Sequence, residues 1–108
     1  MKRKIKIPKN LGKKSEAQIE AVLRDGIKKM GGIAYKFVSP AHRSVPDRII
    51  LLPAGRLIFI EVKRASGKLT SLQAKELGRI AKLGFEVHVL YGEEQIKAFL
   101  KGLEDGTI

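Results

Sequence analysis

The stretch that decides the fold is Pro46-Asp47-Arg48-Ile49-Ile50-Leu51-Leu52-Pro53-Ala54-Gly55-Arg56-Leu57-Ile58-Phe59-Ile60-Glu61-Val62-Lys63. Residues 49–52 and 57–62 are two apolar, β-prone runs on either side of Pro53-Ala54-Gly55, the pattern of a β-hairpin. Neither run alternates with polar residues, so both faces are expected to be buried and the hairpin to lie inside a sheet. If the turn centres on Ala54, residues whose numbers sum to 108 face each other, and Asp47 opposes Glu61. Side chains alternate along a strand, so Asp47, Glu61 and Lys63 emerge on one face near the open end of the hairpin.

Two acids and one lysine thus converge at the end of two greasy strands. Carboxylates sharing one spot repel each other unless a cation or a proton is present. Oxygen donors of this kind suit magnesium or manganese, ions that serve phosphate chemistry, and Lys63 would steady developing negative charge. Taken singly, Asp47 is an ordinary turn residue after Pro46, and Glu61 and Lys63 are ordinary charges finishing an edge strand. Their convergence is what argues for a site.

Outward from the hairpin, Ser15 and Gln18 fit a capping box, and Ile19, Val22, Leu23, Ile27 and Met30 form an apolar stripe at helical spacing, stopped by Gly31-Gly32. Glu20 and Glu16 sit at the edge of that stripe, over the sheet. Glu20 is the expected third carboxylate and Glu16 the fallback. Their structural alternatives are a pair between Glu20 and Arg24 and a favourable first-turn position for Glu16. Residues 33–38 read as a strand, followed by a loop over 39–46 carrying His42 and Arg43. Thr70 and Gln73 fit a second capping box, opening a helix that uses Leu77, Ile80 and Ala81 and ends at Gly84. Residues 85–91 read as a fourth strand and 93–103 as a last helix. The expected order is α-β-β-β-α-β-α, a single small α/β domain over 15–108 with a mixed sheet flanked by helices.

Charge gives an independent signal. The 108 residues contain 22 Lys and Arg against 11 Asp and Glu, a net charge of +11 that suits a polyanionic partner such as nucleic acid. Residues 1–14 hold Lys2, Arg3, Lys4, Lys6, Lys9, Lys13 and Lys14 with no acid, and read as a basic arm for phosphate contact or as a solvated tail. There is no cysteine, so disulfides and thiolate ligands are excluded, and with two histidines a histidine-rich zinc site is not expected. No apolar run approaches the roughly 18 residues that span a bilayer. The opening Met-Lys-Arg-Lys-Ile-Lys lacks the apolar core of a secretory signal, so the cytoplasm is the expected location.

The set Pro46-Asp47, Glu61-Val62-Lys63 and Gln73 at a helix start resembles the PD-(D/E)xK nuclease superfamily, with its restriction-endonuclease-like fold. Glu20 in the preceding helix, with the loop from Val38-Ser39-Pro40 to Pro46-Asp47, is similar to its stand-alone VRR-NUC branch of virus-type replication-repair nucleases. The match spans about residues 15 to 100. The resemblance implies DNA phosphodiester hydrolysis with Mg2+ or Mn2+. It implies Asp47, Glu61 and the Val62 backbone carbonyl as ligands, Lys63 as catalytic, Glu20 as auxiliary and Gln73 as an active-site support. Gln73 has a second reading as the capping partner of Thr70. One departure is Ser44, where the branch often has glycine, which bears on the loop's conformation. His88, between Val87 and Val89, reads as part of a sheet face.

Lys13, Lys14, His42, Arg43 and Lys68 are the expected DNA contacts, and no small-molecule cofactor or membrane is expected. Proteins similar to the stand-alone branch imply a homodimer acting on branched DNA such as four-way (Holliday) junctions. Phe99, Leu100 and Leu103 are one dimer patch, although an ordinary core helix suits them better. The competing readings are a non-catalytic nucleic-acid-binding protein, a nuclease whose substrate is RNA, and a nuclease subunit acting with a larger replication or repair partner. The first explains the charge but not the converging acids.

Overall fold

The computed structural model describes residues 15–41 and 43–108, so the basic arm, Lys13, Lys14 and His42 lie outside the described residues. The chain forms α1 (Glu16–Lys29), β1 (Ile33–Lys36), β2 (Arg48–Leu52), a 3-10 turn (Pro53–Gly55), β3 (Arg56–Lys63), α2 (Ser71–Lys82), β4 (Glu86–Tyr91) and α3 (Gly92–Asp105). The expected order and α/β class hold. The sheet runs β1-β2-β3-β4, antiparallel except for the parallel pair β3–β4, so it is mixed, and the hairpin strands are its interior pair. A parallel pair needs a crossover, and α2 supplies it. The hairpin register is the one read from the sequence, with Arg48 opposite Ile60, Ile49 opposite Phe59 and Ile50 opposite Ile58.

Both capping boxes form. The Ser15 hydroxyl accepts from the Gln18 amide while the Gln18 side chain accepts from the Ser15 amide, and Thr70 and Gln73 repeat the arrangement at α2. Each helix is too short to persist alone, so packing of its apolar stripe decides whether it forms. In α1 that stripe is Ile19, Leu23 and Ile27, which join Ala34, Ile50, Ile58, Ile60, Val62, Leu90, Ile96 and Phe99 in one core. Full burial of an aliphatic side chain contributes about 1.5–3 kcal/mol. Phe99 is part of this core and Leu100 and Leu103 pack against it half-buried, which is the core-helix role that suits them better than a dimer patch.

Alternation along β3 sends Ile58, Ile60 and Val62 to the α1–α3 side and Phe59, Glu61 and Lys63 to the other. On that second side Phe59 packs against Phe37 at 6.0 Å between ring centroids and edge-on against Phe85 at 5.7 Å. The expectation that both hairpin faces are buried fails here. Helix α2 packs on β4 and leaves Leu51 exposed, along with its cross-strand neighbour Ile33 and with Tyr35 opposite Ile49. Within α2 Leu77 is buried, whereas Ile80 is half-buried and Ala81 exposed. Strand β1 stops at Lys36, two residues short of expectation. The Phe37 amide still donates to the Asp47 carbonyl at 2.7 Å, one position beyond the end of the strand.

The hairpin closes through two consecutive left-handed residues, Ala54 at φ 65° and Gly55 at φ 76°. Glycine tolerates this region, whereas an L side chain costs roughly 1–2 kcal/mol there. Ala54→Gly is therefore expected to stabilise the protein by up to about 1 kcal/mol, after the greater flexibility of glycine in the unfolded chain is set against the relieved strain. Thermal unfolding checks this, and a rise of a few degrees is the expected outcome.

Candidate active site

Asp47 lies one residue before β2, where the β2–β3 ladder has just ended at Arg48 and Ile60. Its Oδ2 accepts a hydrogen bond from the Val62 amide at 2.8 Å, so the side chain takes over where a backbone carbonyl would otherwise pair. Its own carbonyl is held by the Phe37 amide. Asp47 is thus fixed from both neighbouring strands and faces Glu61 across the extended register.

Glu61 is 2% exposed, a carboxylate buried as deeply as the aliphatic core. Two donors reach its Oε2: the Lys63 ammonium at 3.3 Å and Gln73 Nε2 at 3.1 Å. Lys63 shares the face because it lies two residues along the strand, and Gln73 arrives from the first turn of α2. Burial, followed by repulsion from Asp47, raises the Glu61 pKa from 4.5 to about 7, against the opposing pull of Lys63. Asp47 is also raised. Burial is the largest cause and repulsion from Glu20 and Glu16 adds to it, while the Val62 hydrogen bond and Lys63 oppose it. The first two turns of α1 therefore stand close enough for their acids to be felt at Asp47.

Glu20 is paired, but not with Arg24, which instead contacts Asp25. Arg48 Nε donates to Glu20 Oε1 at 2.9 Å. Sequence reasoning passed over Arg48, although a cation at the head of an apolar run, beside a candidate ligand, is a legible signal. Gln73 fulfils both of its readings. Its amide and its Oε1 complete the capping box with Thr70 while its Nε2 reaches Glu61. Arg43 and Lys68 are exposed. His88 sits on the core face, its ring 5.0 Å from that of Phe99.

Among the described residues no three acidic or histidine side chains converge as a ready metal cage. The donor set is two carboxylates, Asp47 and Glu61, together with the Val62 carbonyl. A residue's amide and carbonyl point to the same side of an extended strand, so the Val62 carbonyl lies on the Asp47 side, past the end of the β2–β3 ladder. This set fits a hard divalent ion that keeps several waters and takes one or two carboxylates. The two raised carboxyl pKa values describe a pair short of positive charge.

The small mixed sheet thus ends in a buried acid pair with an adjacent lysine, the placement expected of Asp47, Glu61 and Lys63 from the resemblance to PD-(D/E)xK nucleases. No family model matches the chain. A phage protein described as "Putative nuclease p44", from Acyrthosiphon pisum secondary endosymbiont phage 1, is 47% identical over 79 residues, covering 73% of this chain and 85% of the relative. A solved structure described as "VRR_NUC domain" superposes with a TM-score of 0.75 at 25% identity, over 80% of this chain and 94% of that one. A second, "VRR_NUC domain protein", has a TM-score of 0.61 at 19% identity, over 82% and 86% of the two chains, and shows a shared fold. The chain belongs to the VRR-NUC nuclease family.

The acid pair sets a pH dependence of stability in metal-free buffer. Because folding raises the Glu61 pKa from 4.5 to about 7, stability is fully present below the lower value and falls as pH rises through the upper one. Asp47 shifts in the same direction and adds to the fall. Glu61→Gln is expected to flatten the profile and to be more stable than the parent at pH above 7 by on the order of 2–3 kcal/mol. Chemical denaturation in EDTA across this range checks it. Parallel profiles for the two proteins would contradict the assignment of the charge strain to Glu61.

Proposed function

We propose that this protein is a magnesium- or manganese-dependent endonuclease that hydrolyses phosphodiester bonds in DNA. The observation that carries the reading is the buried Glu61 meeting Asp47 at the end of the β2–β3 pair, with the Lys63 ammonium 3.3 Å from the Glu61 carboxylate. A protein that bound nucleic acid through surface charge alone would have no use for a carboxylate buried against a second one.

In this reading Asp47, Glu61 and the Val62 carbonyl hold the ion, with Glu20 auxiliary to them. When bound, the ion activates the attacking water and neutralises charge at the scissile phosphate. Lys63, held against Glu61, directs its ammonium charge towards the negative charge that builds up as the phosphate is attacked. Gln73 keeps the Glu61 carboxylate oriented through Nε2. The net charge of +11 supports a polyanionic substrate, with His42 and Arg43 of the 39–46 loop, Lys68, and Lys13, Lys14 and the other basic residues of 1–14 as candidate phosphate contacts. The proposed location is the cytoplasm of a bacterial or phage-infected cell.

Nicking of supercoiled plasmid with Mg2+, Mn2+ or EDTA tests this. Cleavage is expected only with the ions. Asp47→Ala and Glu61→Ala should abolish it while leaving DNA binding intact or tighter, because a charge that repels phosphate is removed. Lys63→Ala should slow it by about two orders of magnitude or more, the size of a lost electrostatic donor. Undiminished cutting by the Asp47 variant would overturn the assignment.

We infer that the enzyme acts as a symmetric dimer on branched DNA such as four-way junctions. One domain of this size carries one centre and cuts one strand, whereas resolving a junction takes two cuts on strands related by a twofold axis, which an isologous dimer provides. The exposed Ile33, Tyr35 and Leu51 form apolar surface of the sort that subunit contacts bury. Sedimentation equilibrium with and without DNA should give twice the monomer mass, and a labelled panel should be cut at junctions in preference to linear duplex. A monomer throughout, or equal cleavage of all substrates, would contradict the respective half of this reading.

A further inference from the structure

Arg48 follows Asp47 directly, yet strand alternation turns its side chain to the opposite side of the sheet, towards α1. There Nε donates to Glu20 Oε1 at 2.9 Å and Nη1 donates to the Ala34 carbonyl at 3.3 Å. The Arg48 and Glu20 side chains are 12% and 19% exposed, so this pair is sheltered, unlike the solvated ion pairs whose net contribution is near zero. The guanidinium is a planar fork, and its two acceptors lie in different elements, so it fixes direction as well as charge. Through it α1, β1 and β2 meet at the residue next to Asp47.

We propose that Arg48 is a positioning residue for the metal site, holding the Glu20 carboxylate in a fixed direction at the start of β2, one residue from Asp47, and supplying the cation that balances it. This rests on the reading of Asp47 and Glu61 as ligands. It assigns Arg48 no contact with substrate or ion; Arg48 acts through Glu20 and through the start of β2. Loss of the guanidinium frees Glu20 from its direction and leaves a sheltered carboxylate without its cation, so the site loses its fixed auxiliary carboxylate and the start of β2 loses a tie to α1 and β1.

The test is calorimetric titration of Mn2+ into the parent protein, Arg48→Gln, Arg48→Lys, Glu20→Gln and the Arg48→Gln/Glu20→Gln double variant. Circular dichroism and melting in EDTA verify that each is folded. Arg48→Gln is expected to weaken Mn2+ binding by about tenfold or more, the usual effect of removing a group that orients a ligand. Arg48→Lys should recover only part of the loss, because it keeps the charge but not the fork. The double variant should bind no more weakly than the weaker single variant, because both substitutions break one interaction. Unchanged Mn2+ affinity in folded Arg48→Gln and Arg48→Lys overturns the proposal, as does strict additivity in the double variant. If the parent itself binds no Mn2+, the ligand reading falls and this proposal falls with it. If the parent binds and cuts while Arg48→Gln equals it, this proposal alone fails.

Discussion

The hydrogen bond from the Val62 amide to the Asp47 carboxylate is the constraint on which the rest of the site depends. Beyond Arg48 and Ile60 the β2–β3 ladder has no further backbone pair, and a strand end without partners frays. A carboxylate takes the place of the missing carbonyl. This satisfies the amide, but it also pins a negative charge opposite Glu61, which the same register has already turned away from solvent. The hydrogen bond lowers the cost of a charge on Asp47, while burial and the α1 acids raise it, and the net shift is upward. The strand end is thus completed by a group whose presence strains its neighbour.

Strand β3 carries this strain because its two faces have different tasks. Ile58, Ile60 and Val62 lie in the continuous core with α1 and α3, and removal of any one of them would cost a few kcal/mol. Phe59, Glu61 and Lys63 point the other way, where the cover is thinner and comes from the Phe37 and Phe85 rings and from α2. A period of two residues keeps the aliphatic core and the polar cluster on one strand without mixing them. A slip of one residue would exchange them, placing Glu61 in the core and Ile60 at the site, so the register is specified by both faces at once.

That double specification is why so much was legible. The turn residues and the apolar runs left one register for β2 and β3, and the opposition of Asp47 and Glu61 followed from it. Capping at Ser15 and Thr70 is a local matter of three residues and was equally plain. Interactions between distant segments were not plain. Glu20 and Arg48 are separated by 28 positions, and nothing periodic ties a helix acid to a cation at the head of a hairpin strand; a near neighbour at helical spacing, Arg24, offered a simpler partner. The incomplete cover over Leu51 and Tyr35 was also hidden, because a run of apolar residues signals burial without saying how far α2 reaches. The left-handed Ala54 gave no warning, since alanine carries no preference for that region.

Gln73 shows that a structural reading and a functional one need not compete. Its Oε1 and amide close the capping box, which stabilises the first turn of α2, and its Nε2 is left over for Glu61. A primary amide has an acceptor and two donors, so one side chain can serve both ends. Asp or Glu would close such a box as well, but each would bring a third negative charge to a carboxylate already raised to about 7. Asn would be too short to span both partners. Glutamine is the residue type that can both cap the helix and donate to Glu61. Its consequence is mechanical: the start of α2 cannot shift without moving the Glu61 carboxylate, so the position of the crossover helix and the geometry of the acid pair are set together.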